Sequence, residues 1–155
     1  MSDYRQMNDI YAKIGADLIA NEDVLFDVRN SQATIIYLSS DFAKTDKGRL
    51  VLGQCEKVQD KYKWGIPADF TITLFEPNIV NKSQEAIKRI ILHELLHVGI
   101  DVNSESDESY YVKPHDLEDF KYMIDTYGTD WDKVDDEPEF EANIEEWKEV
   151  RSDGK

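Results

Sequence analysis

The chain is short of the residues that staple small secreted domains. It has one cysteine, Cys55, in 155 residues, so no internal disulfide can form. No apolar run approaches the ~18–20 residues of a membrane-spanning helix. The first nine residues lack the basic start and apolar stretch of a secretory signal. Together these absences lead us to expect a cytoplasmic protein with no membrane partner. Basic residues are also scarce, 18 against 33 acidic ones, for a formal net charge of −15. The deficit is uneven. Residues 1–100 carry 14 acidic and 12 basic side chains, whereas residues 101–155 carry 19 and 6. Binding nucleic acid through its phosphates needs the opposite sign, so no nucleic-acid partner is expected. The acidic C-terminal third reads as a solubilising surface. A cation-rich partner, a basic peptide or mimicry of DNA charge are the sharper alternatives. Histidine is the last scarcity: there are three.

The length suits one domain with a core of its own. Residues 4–20 predict an amphipathic helix, with Met7, Ile10, Tyr11, Ile14 and Leu18 at three- and four-residue spacing. After a short polar stretch, residues 34–39 are β-branched and read as a strand. Asp46, Lys47 and Gly48 signal a turn, and residues 50–58 read as a second strand, with Cys55 a small core residue. Residues 63–67 are loop. Phe70–Phe75 is the clearest strand, with Phe70, Ile72 and Leu74 on one face and Thr71, Thr73 and Phe75 on the other. Pro77 ends it. Asn81 is placed to cap the next helix, with Gln84 as its capping-box partner. That helix should run to about Val98 and stop at Gly99. Ile87, Ile91, Leu95 and Val98 form its sheet-facing stripe. Residues 101–113 are a polar loop. Pro114 suits the first turn of a further helix carrying Leu117, Phe120, Ile124 and Tyr127. An acidic connection leads to a short helix at 140–150, with Phe140, Ile144 and Trp147 on one side.

The predicted fold class is therefore α+β. A small three-stranded sheet follows an N-terminal helix and precedes two further helices. Residues 1–135 form the domain, and residues 136–155 an acidic helical tail packed on it or extending from it. A monomer is the default. Phe70–Phe75, just ahead of the first of those two helices, reads as an edge for pairing with an extended peptide.

The first of those two helices carries His93-Glu94-Leu95-Leu96-His97, an H-E-x-x-H pattern. Histidines at i and i+4 lie one turn apart on one helix face, so both rings can reach one metal ion. Glu94 is placed to act as catalytic general base without being a ligand. Two of the three histidines are in this motif, and the third, His115, follows 18 residues after His97. A catalytic Zn2+, one per chain, takes three protein ligands and leaves a fourth position to water. His115 is the first choice for the third ligand, with Glu118 or Asp119 as the competing carboxylates. The metzincin pattern is excluded, because Ile100 and Asn103 stand where glycine and histidine would be needed. Asp116, Glu118 and Asp119 are candidates to orient the imidazoles through their other ring N–H. Equally, they suit a solvated helix start, where acids complement the dipole. Tyr110 and Tyr111 are candidate oxyanion donors, with packing as the alternative.

Two blocks then resemble a known family, the phage metallopeptidases, distant relatives of SprT-like zincins. The first is residues 90–97, the apolar run enclosing the histidine motif. The second is His115-Asp116-Leu117-Glu118-Asp119-Phe120, followed by Tyr127, Gly128 and Trp131. Asp119 stands where the family usually has glutamate, and Val98 where cysteine or a small residue is common. The resemblance covers about residues 50–131. It implies a minimal zincin fold, His93, His97 and His115 as zinc ligands, and Glu94 as the base. It names no substrate; a peptide or protein is what the histidine motif itself leads us to expect, while the resemblance implies a phage origin and so the cytoplasm of a bacterial host. Two other uses of such a chain remain open: a zincin-fold binding module with little or no catalysis, and an acidic DNA mimic.

Overall fold

The computed structural model describes residues 3–101, 110–115 and 121–127. A mixed four-stranded sheet lies at its centre, in the order β1 (Arg5–Met7), β2 (Ile35–Ser40), β6 (Phe70–Phe75), β5 (Gly53–Lys57). β2 and β6 run parallel, while β1 and β5 pair antiparallel on the outside. Two helices, α1 (Asp9–Asn21) and α4 (Gln84–Leu95), pack against each other and against the sheet. The alternation of β6 explains the layering. Phe70, Ile72 and Leu74 are fully buried and belong to the main core with Ile90, Ile91, Leu92 and Leu95 of α4. On the opposite face the Arg5 guanidinium crosses the sheet. It donates to Thr73 Oγ1 (3.1 Å) and Glu56 Oε1 (2.8 Å) and sits 5.8 Å from the Phe75 ring centroid. The protein is thus α+β, with a small sheet and several helices. Among the described residues no helix is long and apolar enough to cross a membrane.

Several sequence expectations change. The chain before α1 is not helical. Arg5–Met7 pair with Leu38–Ser40 as β1, and Asn8 caps the helix by accepting from the Tyr11 amide at 3.0 Å. Met7 and Ile10 are consequently exposed, and the buried face of α1 is Tyr11, Gly15 and Leu18. The polar stretch 22–33 holds a 3-10 turn (Asp23–Leu25) and α2 (Phe26–Ser31), anchored by buried Leu25 and Val28. Two buried apolar anchors in twelve residues leave no period to read. The Asp46–Gly48 turn closes a two-residue hairpin between β3 (Thr45–Asp46) and β4 (Arg49–Leu50), with Lys47 (φ 51°) and Gly48 (φ 78°) in the left-handed region.

Strand β6 coincides with the expected residues 70–75, but it is central, not an edge. β2 and β5 occupy both its sides, so it has no free backbone for a peptide. Pro77 lies in the first turn of α3 (Glu76–Ile79). The amide of Lys82 donates to Ile79 O (3.0 Å), which holds Asn81 in a turn, and Ser83 caps α4 instead, accepting from the Ala86 amide at 3.1 Å. α4 ends at Leu95, not Val98. The chain then turns into β7 (Val98–Ile100), which pairs antiparallel with β8 (Tyr110–Val112). Val98 and Ile100 favour this extended form. Gly99 is a strand residue, and its φ is not left-handed. After β8, residues 113–115 are irregular, so Pro114 is not in a helical turn there; the next described helix is α5 (Lys121–Tyr127). Leu117, Phe120, Gly128, Trp131 and the tail with Phe140, Ile144 and Trp147 lie outside the described residues, as does the proposed boundary at 135/136.

One glycine in this layer carries a packing constraint. Gly15 sits mid-helix, where glycine costs about 0.5–1 kcal/mol relative to alanine. A Cβ there would run into the phenol of Tyr37, which is buried on β2. Gly15→Ala should therefore destabilise despite its better helix propensity, by about 1–3 kcal/mol in chemical denaturation. A variant as stable as the parent would show that α1 shifts freely on the sheet.

Candidate metal and catalytic site

The site forms where α4 ends. His93 and Glu94 lie in its last turn, and the helix is positioned by Ile90, Ile91, Leu92 and Leu95 in the core. The final turn tightens. The amide of Leu96 reaches Leu92 O at 3.0 Å, and that of His97 reaches Glu94 O at 3.0 Å. His97 therefore stays one turn above His93, with ring centroids 5.3 Å apart. β7 and β8 then return the chain to the same place. Beyond the Val98–Val112 pair, the Lys113 amide donates to His97 O at 2.6 Å, and His115 follows two residues later.

The three imidazoles converge. His115 lies 4.9 Å from His93 and 4.5 Å from His97 by ring centroid. His93 Nε2 and His115 Nε2 are 3.0 Å apart, and one nitrogen from each of the three rings falls within 4.8 Å of the others. A tetrahedral ion with bonds of 2.0–2.1 Å would hold two ligating nitrogens roughly 3.3 Å apart, so the donor set has the right type and span. The orientation of His97 fits too. Its Nδ1 is 2.6 Å from Lys113 O. As a donor to that carbonyl, Nδ1 carries the proton and Nε2 is left to face the other rings.

Glu94 is buried, and its Oε2 is 4.0 Å from His93 Nε2. A buried carboxylate is costly without nearby positive charge, and a divalent cation among the histidines would supply it. Room for Glu94 comes from β5. A Cβ on Gly53 would come within 3.1 Å of Glu94 Cγ and 3.3 Å of its Oε2. Cys55, two residues along the same face of β5, is buried. Its thiol is pushed far up, first by that burial and then by the Glu94 and Glu56 carboxylates. Both effects disfavour the thiolate, the form that binds metal.

Tyr110 is half-buried, its ring 5.7 Å from that of Phe70. Tyr111 lies across Gly99. Asp116, Glu118 and Asp119 lie outside the described residues. Two contributors went unnoticed in the sequence. The Lys113 carbonyl is backbone and has no sequence signal. Gly53 did have one, since an isolated glycine in a strand marks close approach of a neighbour.

Metal uptake should be close to one divalent ion per chain by elemental analysis. His93→Ala, His97→Ala and His115→Ala should each abolish tight binding. A His115→Ala protein that binds like the parent, beside a Glu118→Ala protein that does not, would reassign the third ligand. Chelation should lower the melting temperature without unfolding the domain, because the α4–sheet core is built without the ion. A coil-like circular dichroism spectrum after chelation would contradict this.

A family model described as "Putative phage metallopeptidase" matches residues 3–139. No curated protein and no solved structure matches the chain.

Proposed function

The chain belongs to that phage metallopeptidase family, and from this premise we propose that it is a zinc-dependent peptidase with a zincin-like active site. The observation that carries the reading is the convergence of His93, His97 and His115 beside the buried carboxylate of Glu94. His93, His97 and His115 hold the ion, and three imidazoles are a donor set suited to zinc. When bound, zinc lowers the pKa of water and polarises a peptide carbonyl. Glu94 accepts the proton of the attacking water and passes it to the departing amine. Its burial keeps competing solvent away from that carboxylate. The Lys113 carbonyl fixes the His97 tautomer, and the missing side chain at Gly53 leaves the Glu94 carboxylate room where it stands.

The substrate is a peptide or protein segment in extended form. β5 is the outer strand of the sheet beside Glu94, so it, and not β6, is where such a segment would pair. A cytoplasmic setting in a bacterial host accords with the family.

Glu94→Gln tests the role of the carboxylate. The amide nearly matches it in size, so fold and zinc content should be retained. It cannot accept a proton, so cleavage of a mixed peptide library should fall by about 10²–10⁴-fold. Equal cleavage by both proteins would assign the base elsewhere. Zinc-loaded parent protein that cleaves nothing across broad libraries would favour a binding module.

A further inference from the structure

We propose that Gly99 and Tyr111 are a positioning pair that delivers His115 to the metal site. The inference rests on the reading of the three histidines as ligands and concerns how the third one arrives.

Gly99 and Tyr111 stand directly opposite each other in the β7–β8 ladder. Gly99 is buried, and its backbone does not need glycine, since its φ is not left-handed. What needs glycine is the Tyr111 ring. A Cβ on Gly99 would lie 2.6 Å from Cε2, 2.7 Å from Cζ and 2.8 Å from Cδ2 of that ring. The ring therefore lies flat over the glycine, a cross-strand pair that fills the gap a missing side chain leaves. Tyr111 keeps 43 % of its surface exposed, so its contribution to the general core is limited.

This contact sets the register of a ladder with only three residues on each side. Register decides the site. With Gly99 opposite Tyr111, Val98 falls opposite Val112, and His97 meets Lys113 through the 2.6 Å amide bond and the 2.6 Å Nδ1–carbonyl contact. His115 then reaches His93 Nε2 at 3.0 Å. A slip of one residue would move His115 by about 3.3 Å along the chain and turn alternate side chains to the other face. Metal–nitrogen bonds of about 2.0–2.1 Å tolerate no such displacement. The same slip would replace the Lys113 carbonyl that orients His97.

The test compares Gly99→Ala, Tyr111→Ala and Tyr111→Phe, using zinc affinity by chelator competition and melting temperatures with and without zinc. Gly99→Ala and Tyr111→Ala should weaken zinc binding by about 10–100-fold, the usual cost of losing support behind a ligand. They should also narrow the gap between zinc-loaded and zinc-free melting temperatures. Tyr111→Phe should bind like the parent, because the ring and not the hydroxyl covers Gly99. If Tyr111→Ala lowers both melting temperatures equally and leaves zinc affinity intact, the pair is merely structural and the proposal fails. Tyr111→Phe binding as poorly as Tyr111→Ala would overturn it as well. Should Gly99→Ala not fold, the two Tyr111 variants decide alone. Parent protein that takes no zinc overturns the metal reading itself. Zinc-binding parent with unaffected variants overturns only this inference.

Discussion

The antiparallel pairing of Val98–Ile100 with Tyr110–Val112 brings a distant histidine to the end of α4. Two ligand candidates one helical turn apart are a local matter and cost the chain little to place. The third lies 18 residues on, and closing that loop has an entropic cost. The ladder meets it with backbone hydrogen bonds, the Tyr111 ring over Gly99, and the His97–Lys113 contacts. Each of these bonds also acts on the site. The carbonyl that ends the ladder is the one that orients His97. A few residues of secondary structure thus supply both the strand pairing and the convergence of the three imidazoles.

Glu94 poses the complementary problem. In the proposed role it has to be dry enough to work as a base and still be tolerated in the interior. The sheet accommodates it by leaving Gly53 without a side chain at that point, with Cys55 next along the same face. The N-terminal strand has an indirect part in this. Arg5 clamps β5 from the other face through Glu56, tying the outer strand to β1 across the sheet. The strand that borders Glu94 is therefore held at both faces.

The histidine motif was legible because its spacing is local: the i, i+4 relation holds wherever the helix sits. His115 was legible because the chain has so few histidines and because it opens the second block of the family resemblance. β6 was legible in extent, since Phe70–Phe75 alternates cleanly, yet its place in the sheet was not. Nothing in six residues says whether a strand has one neighbour or two. The N-terminal strand was hidden because Met7 fits a helical period with Ile10 and Ile14, and only the pairing with Leu38 decides otherwise. Gly99 read as a helix stop because glycine after an apolar helix usually is one. Here a ring from another strand gives it a different reason to be there. Ser83 displaced Asn81 as the cap because a preceding turn had already claimed Asn81. Except for that local turn, these misses are tertiary contacts overriding a sound local preference.

The central claim is that three imidazoles, two from the end of α4 and one from beyond β8, hold one ion. X-ray absorption at the zinc edge of the loaded protein tests it most directly. The account predicts three imidazole nitrogens and one further light atom at about 2.0–2.1 Å in the parent protein. A sulfur scatterer at about 2.3 Å, or two imidazoles in the parent protein, would contradict it.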